Sequence, residues 1–245
     1  MRKTCLSALL CLMVATGPAV AQTLHFVAAV LPPLVIDNGG KPDGAVLVVL
    51  RELTQKLGVP FSVEFLPQPR ALLESQKSTD IAFAGVSRNP EREAAYKWVG
   101  PLIFDSIVLV TKKGNKAAPA TLDAAKTWAV ATLRGGATVP ALQAAGFTNI
   151  VEVKDTESAA RMLDAGRVDA WATPKLSGAY IYKSLGLDPK TLEIGPEIRR
   201  NDVYLGVPKG LPDDTVATWQ KALDELKAQG RIEAITRQFA AGTDK

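Results

Sequence analysis

The side chains best suited to chemistry in this sequence are a serine and an arginine that closely follow an apolar segment. The segment DIAFAGV, residues 80–86, is predicted to form a buried strand; Gly85 lies near its end, and Ser87 and Arg92 follow it. A guanidinium group offers a planar fork that matches a carboxylate through two charge-assisted hydrogen bonds. The stretch therefore predicts a cradle for an anion. The alternative is a solvated basic loop in which Arg92 forms a surface salt bridge.

A second glycine-rich stretch, RGGAT, lies between a predicted strand and a predicted helix. Backbone N–H groups at the start of a helix attract anions, and Thr138 would add a hydroxyl group close to Gly136. The alternative is that Thr138 only caps the helix through its hydroxyl, as threonine often does. One residue is able to do both.

Histidine and cysteine are scarce, which excludes several kinds of active site. His25 is the only histidine, and the two cysteines are Cys5 and Cys11. A zinc site of cysteine and histidine needs several such ligands, and a serine hydrolase of the triad type needs a histidine base with partners. His25 lies in the predicted strand LHFVAAV, where we expect a structural role. We therefore predict no catalytic residues, no metal site and no cofactor.

The first 21 residues have the pattern of a cleaved secretory signal peptide. Arg2 and Lys3 precede an apolar segment, Pro18 follows it, and the small residues AVA end at Ala21. A membrane anchor would need about 20 apolar residues without such a cleavage site. Both cysteines lie within this leader, so the exported chain would have none and would depend on core burial for stability.

The charge balance argues against a polyanionic partner. The formal net charge is +4, and loss of two basic residues with the leader lowers it to +2. This bias is too weak to indicate binding to nucleic acid or to an acidic membrane surface. We therefore predict no nucleic-acid partner.

The rest of the chain alternates between apolar β-branched segments and longer segments with helical periodicity. This alternation predicts an α/β fold with parallel strands. The predicted strands are 24–30, 61–65, 80–86, 106–114, 128–133, 149–153, 168–173 and 202–208. In the segment DTVATWQKALDELKAQG, the residues Val216, Trp219, Leu223 and Leu226 fall three or four apart and predict one apolar helix face. The softest stretches, 115–120 and 196–200, could bracket an inserted second lobe.

Several segments, taken in order, resemble the bacterial periplasmic solute-binding proteins of the polar amino-acid class, family 3. They are VLPPLVIDNGGKPDG, DIAFAGVSRNPERE, TLRGGAT, AGRVDAWAT and VYLGVPKG. The resemblance covers essentially the whole exported chain. It implies a two-lobed, type II periplasmic-binding-protein fold, in which two crossing hinge strands join the lobes and the cleft between them closes on a solute. We predict a first lobe of residues 22–110 and 203–245 and a second lobe of residues 111–202.

The resemblance also implies which residues contact the solute. Gly85, Ser87 and Arg92 match the positions where the family binds a ligand carboxylate, and Gly136 and Thr138 match its second carboxylate contact. The family's ammonium-binding aspartate corresponds here to Pro174, directly after Thr173, which we add to the candidate ligand-binding residues. Two further family positions, an early aspartate and an aromatic wall, are Val48 and Leu34.

Half of an amino-acid site is therefore missing from the sequence pattern. Either the solute lacks an α-amino group, because a buried ammonium without a partner is costly, or another carboxylate such as Asp202 serves. Arg70, in LPQPRAL, and Arg134, before the glycine pair, are further basic candidates. With Arg92 they would suit an anion with two acidic groups.

The resemblance implies a periplasmic receptor rather than an enzyme. Such a protein binds a small anionic or zwitterionic solute as a monomer and delivers it to an inner-membrane ABC permease. Two alternatives stay open. Cyclohexadienyl dehydratases share the fold, but TPKLSGAY has no carboxylate where their general acid would be sought. A sensor or adaptor would use the same cleft with a different docking partner.

Overall fold

The computed structural model describes residues 24–240, so the signal peptide predicted for residues 1–21 lies outside the described residues. Strands and helices alternate through most of the described chain. The strands are β1 (His25–Ala28), β2 (Ile36–Asp37), β3 (Pro42–Asp43), β4 (Val63–Phe65), β5 (Ile81–Ser87), β6 (Lys97–Ile103), β7 (Ser106–Lys112), β8 (Val130–Leu133), β9 (Ile150–Val153), β10 (Ala170–Pro174), β11 (Leu192–Arg200) and β12 (Val203–Val207). The helices are α1 (Ala45–Leu57), α2 (Gln68–Lys77), α3 (Thr138–Ala144), α4 (Thr156–Asp164), α5 (Lys175–Ser184), α6 (Asp213–Ala228) and α7 (Arg231–Ala240).

The first sheet combines strands from both ends of the described chain, in the order β4-β1-β5-β12-β6. β1 runs parallel to β4 and β5, whereas β12 runs antiparallel to β5 and β6. One core packs α1, α6 and α7 against this sheet, and Leu50 and Leu53 of α1 are fully buried in it. The apolar face predicted for α6 is confirmed at Trp219, Leu223 and Leu226, which are buried in the same core.

The second sheet has the order β11-β7-β10-β8-β9. β8 runs parallel to β9 and β10, whereas β7 runs antiparallel to β10 and β11. A separate core forms on this sheet around Trp171, Tyr182 and Leu163. Two sheets with separate cores make a two-lobed α/β molecule, as the sequence predicted.

Two strands, and the mixture of strand directions, differ from the prediction. The stretch PEIRR, interpreted as a soft stretch that could bracket an inserted lobe, lies within β11, an edge strand whose irregular register accommodates Pro196. β6 was not predicted, because Gly100 and Pro101 interrupt its apolar pattern. Both sheets contain parallel and antiparallel pairs, since each receives a strand from a chain segment that returns from the other lobe.

The chain passes between the sheets twice, and the two connections touch each other. The first connection lies between Ile103 and Ser106, and the second lies between Arg200 and Val203. The backbone N–H of Asn201 donates to the carbonyl of Asp105 at 2.9 Å. The second connection lies next to the boundary predicted at 202–203. The first connection lies before the boundary predicted at 110–111, because the continuous apolar strand β7 pairs entirely within the second sheet. The division into lobes at these residues stays a prediction.

The burial of α1 predicts the cost of truncating it. Leu50 has no solvent exposure, so Leu50→Ala should lower the free energy of unfolding by about 2–5 kcal/mol through lost burial and a cavity. Leu73, in α2, is 52% exposed, and Leu73→Ala should change stability by only about 0.5 kcal/mol. Urea unfolding followed by circular dichroism measures both values. Equal losses for the two variants would contradict this assignment of the core.

Candidate functional site

A narrow cleft lies between the two lobes. Side chains and backbone from both lobes form its walls, so a small molecule inside it would contact both lobes. The lining residues are Ala29, Leu31, Leu34, Val35, Gln68, Gly85, Ser87, Thr132, Leu133, Gly136, Ala137, Thr138, Thr156, Trp171, Ala172, Thr173, Pro174 and Asn201.

The ends of four strands place these residues. β1 and β5 run parallel in the first sheet, and the cleft receives residues that follow β1 and the last residues of β5. β8 and β10 run parallel in the second sheet and contribute their own carboxyl ends. The carboxyl ends of parallel strands are where open α/β sheets usually bind ligands.

Glycine is required at one position of the cleft wall. Gly85 has a φ of 90°, a left-handed conformation that side-chain-bearing residues rarely adopt. A Cβ atom there would lie 3.2 Å from Cγ2 of Val35. β5 also has a register irregularity opposite Tyr204 and Leu205. Gly85 thus lets the end of β5 bend so that Ser87 faces the cleft.

Arg92 lies beside the cleft and is 7% exposed. Its Nη2 donates to the carbonyl of Gly135 in the second lobe at 3.1 Å, and its Nη1 is 3.5 Å from the carbonyl of Ser87 in the first lobe. Among the described residues it forms no ion pair with a carboxylate. Burial lowers the pKa of Arg92, and the nearby Arg199 lowers it further.

A second arginine adds to the contact between the lobes. Nη1 of Arg199 lies 3.8 Å from Oε1 of Glu91, so an ion pair joins β11 to the segment before Arg92. Nη2 of Arg199 donates to the carbonyl of Ala137 at 3.1 Å. The backbone around the glycine pair is therefore held by arginines from both lobes.

Threonine hydroxyls line the side of the cleft formed by the second lobe. The hydroxyls of Thr132 and Thr138 are hydrogen-bonded to each other, and the Thr132 hydroxyl is 3.2 Å from the carbonyl of Ala172. Thr138 is the first residue of α3, and the capping position belongs to Ala137, which makes no side-chain cap. The interpretation of Thr138 as a helix cap is therefore wrong. Thr173 is 1% exposed, and its Oγ1 is buried without a hydrogen-bond partner.

The comparison with protein families covers almost all of the described chain. Residues 26–242 match the model of the bacterial extracellular solute-binding proteins, family 3. The chain belongs to this family. Among curated proteins, none matches the chain.

Solved structures of similar fold include binding proteins and a sensor domain. An ancestral arginine-binding protein bound to arginine is 23% identical, with a TM-score of 0.74 over 89% of this chain and 98% of that one. An amino-acid ABC transporter substrate-binding protein from Streptococcus pneumoniae bound to L-arginine is 16% identical, with a TM-score of 0.76 over 91% and 97%. A histidine kinase sensor domain with similarity to periplasmic binding proteins is 20% identical, with a TM-score of 0.77 over 89% and 96%. These likenesses show the fold.

The predicted site residues of this family 3 protein fall into three groups: those that line the cleft, one that lies next to the lining, and two that lie away from it. Gly85, Ser87, Gly136, Thr138 and Thr173 line the cleft. Arg92 lies next to the lining and bonds to two carbonyl groups at its edge.

Arg70 and Arg134 are not brought to the cleft. Arg70 is exposed, and its Nε donates to Oε1 of Glu74 at 2.6 Å. Arg134 is exposed to solvent. Neither residue is part of the lining, so the three arginines expected around one solute do not converge. Arg70 lies in the first turn of α2, and its side chain extends along the helix to Glu74 instead of into the cleft.

In the described part of this family 3 protein, no acidic side chain lines the cleft. Asp202 lies in the second connection, where its Oδ2 accepts a hydrogen bond from Nε of Arg200 at 2.7 Å. It faces a separate small pocket at the connections together with Asp105. The alternative partner that the sequence suggested for an ammonium group therefore lies outside the cleft.

Several residues that line the cleft were not predicted from the sequence. Thr132, Thr156, Asn201 and Gln68 line the cleft, yet each looks in the sequence like an ordinary loop or strand polar residue. Trp171 is fully buried in the core of the second lobe and also reaches the cleft. The only sequence signal for a lining residue among these four is position at the end of a strand, and it applies to Thr132 at the end of β8.

Within residues 24–240, no helix is long and apolar enough to cross a membrane. In the same part of the chain, no cluster of three or more His, Cys, Asp or Glu residues is arranged to hold a metal ion.

The connection residue Asp105 predicts a pH-dependent stability. Burial raises the pKa of Asp105 to about 7, although backbone N–H groups of Ser106, Leu176 and Lys175 lower it. The folded protein then holds this proton more tightly than the unfolded chain, whose carboxyl group has a pKa of 3.8. Its stabilising effect is complete below a pH of about 4 and is lost as the pH rises through about 7.

An Asp105→Asn variant keeps an acceptor oxygen but does not ionise. Its stability relative to the wild type should therefore improve steadily between a pH of about 4 and about 7. Urea unfolding of both proteins at several pH values measures this difference. A difference that stays constant across the range would contradict the raised pKa.

Proposed function

We propose that the protein is a binding receptor that captures a small carboxylate-bearing solute in the cleft between its lobes. The observation that carries this proposal is Arg92, a buried guanidinium that forms no ion pair within residues 24–240 and that contacts both lobes beside the cleft. Its neutral neighbours Ser87 and Thr138 supply hydroxyl groups to the same region. A carboxylate is the group that best fits such a guanidinium fork.

Closure of the lobes follows from the shape of the site. A solute in the cleft would contact the first lobe through Ser87 and the second through Thr138 and Thr173. Only the closed arrangement offers all of these contacts together, so the solute would stabilise that arrangement over an open one. Gly85, Gly136 and Thr138 would shape the carboxylate pocket.

Binding is favoured over catalysis by the chemistry of the lining. The residues that form the cleft carry hydroxyl, amide and apolar side chains, and none of them is an acid, a base or a lysine. General acid–base catalysis needs a titratable group within hydrogen-bond reach of the substrate. We propose that the cleft holds its ligand unchanged, and that the protein acts in the periplasm as a monomer.

We further propose that the receptor passes its solute to an inner-membrane ABC importer. The family and the substrate-binding protein of similar fold support this partner, whereas the similar sensor domain favours a signalling role as the second candidate. Uptake of the solute, once identified, by cells with and without this gene separates the two. Unchanged uptake in the deletion strain would favour the sensor.

Removal of the Arg92 guanidinium should abolish solute binding. Each charge-assisted hydrogen bond contributes about 1.5–3 kcal/mol, so Arg92→Ala should weaken binding of a carboxylate at least about a hundredfold. Arg92→Lys keeps the charge without the planar fork and should bind at an intermediate level. Titration calorimetry on refolded, solute-free protein with a panel of amino acids and mono- and dicarboxylates measures these affinities.

The exposed arginines provide the matched controls. Arg70→Ala and Arg134→Ala remove the same charge outside the cleft, and both should leave affinity within about twofold of the wild type. A loss at Arg70 or Arg134 as large as that at Arg92 would place the anion elsewhere. Thermal unfolding without solute shows whether Arg92→Ala is folded, because that residue also bonds to Gly135.

A further inference from the structure

We propose that the solute is a monocarboxylate that carries a neutral oxygen, a hydroxyl or keto group, at the position where an amino acid carries its ammonium group. A small apolar tail completes the ligand, so the class is the short 2-hydroxy and 2-oxo acids. This inference rests on the proposed function, since it names the solute of the same cleft.

The cleft offers no countercharge for an ammonium group. None of its lining residues is acidic. Asp155 accepts the backbone N–H of Ser158 at 2.7 Å, and Asp202 is paired with Arg200. Glu157, which follows the lining residue Thr156, is exposed to solvent and is not part of the lining. A buried ammonium without an anionic partner is strongly disfavoured, so this site selects against α-amino acids.

Asp105 lies close behind the cleft wall but faces away from the cleft. Its carboxylate accepts the backbone N–H of Ser106 at 2.8 Å and lies near the start of α5. It contributes to the separate pocket at the connections and is absent from the cleft lining. Pro174, which directly precedes this helix start, presents a ring to the cleft and no charge.

A neutral hydrogen-bonding group, the hydroxyl of Thr173, lies next to Pro174 in the cleft wall. Thr173 lines the cleft, is 1% exposed, and has a buried Oγ1 without a hydrogen-bond partner. A buried hydroxyl without a partner is costly, and a hydroxyl or keto oxygen of a solute would satisfy it. A threonine hydroxyl donates to a keto oxygen and either donates to or accepts from a hydroxyl group.

The remaining walls restrict the charge and size of the solute. Arg92 is the buried arginine at the cleft, and Arg70 and Arg134 are exposed to solvent. The remaining nearby arginine, Arg199, is paired with Glu91, so the site neutralises one carboxylate and not two. Leu31, Leu34, Val35, Trp171 and Pro174 form apolar surface in the lining. The narrow space between these walls suits a short aliphatic tail.

Matched ligand series test this proposal directly. The probes are amino, 2-hydroxy, 2-oxo and unsubstituted carboxylates that share a methyl, isopropyl or isobutyl side chain, titrated by calorimetry into refolded, solute-free protein. For the best-fitting side chain, we expect the hydroxy or oxo acid to bind at least tenfold more tightly than the amino acid. The unsubstituted acid should bind more weakly than the hydroxy or oxo acid.

The outcomes separate this inference from the proposed function. Equal or tighter binding of an amino acid would overturn the inference and leave a carboxylate receptor in place. Preferential binding of a dicarboxylate would overturn the single-charge argument in the same way. Failure of every carboxylate in these series and in the wider panel would overturn both proposals.

A hydroxyl deletion locates the neutral contact. Thr173→Val should weaken the hydroxy or oxo acid about tenfold and leave the unsubstituted acid unchanged. Thr111 is a matched control, since it is also fully buried with an unpartnered hydroxyl but is not part of the cleft lining. Thr111→Val should leave both affinities unchanged. Equal effects of Thr173→Val on both acids would show that Thr173 acts only through packing.

Discussion

The arrangement of the cleft depends on one buried positive charge. Arg92 is taken out of water without a carboxylate to pair with, and two backbone carbonyls, one in each lobe, receive its N–H groups. Carbonyl dipoles compensate a guanidinium only partly, because a full countercharge stabilises it more. The charge of Arg92 therefore attracts an anion to the region where the lobes meet. An anion bound there satisfies the charge and joins the lobes through the same side chain.

The rest of the site is organised so that this attraction becomes selective. The strand ends of the two sheets converge on the cleft, and a left-handed glycine, Gly85, turns the end of β5 so that Ser87 faces inward. Opposite, a row of threonines presents hydroxyl groups between apolar walls. Under the proposed function, the charge would provide affinity for a carboxylate, and the neutral lining would discriminate against groups that it cannot accommodate. Selectivity in such a site comes from the penalty on wrong ligands as much as from contacts with the right one.

The family and the two-lobed fold could be predicted from the sequence, and both predictions are confirmed. Periodicity placed the buried strands and the apolar face of α6, since burial imposes a regular spacing on apolar residues. It failed for β6 and β11, where glycine, proline and charged residues are tolerated because the strands lie at sheet edges. Of the site, the residues near strand ends were found. The positions of Arg70 and Arg134 were not predictable, because the direction of a long side chain depends on its tertiary neighbours, and Asn201 has no local signal.

Asn201 belongs both to the cleft lining and to the second connection between the lobes. It is buried in the cleft lining, and its backbone is bonded to Asp105 in the other connection between the lobes. A connection between the lobes is thus also part of the cleft wall. If the lobes rotate about these connections, as the proposed function implies, a solute that presses on this wall would act at the axis of rotation, where a small displacement becomes a large movement at the outer rims of the lobes. Ligands of the same charge but different shape would accordingly set different closure angles, and a partner that recognises one angle would distinguish between them.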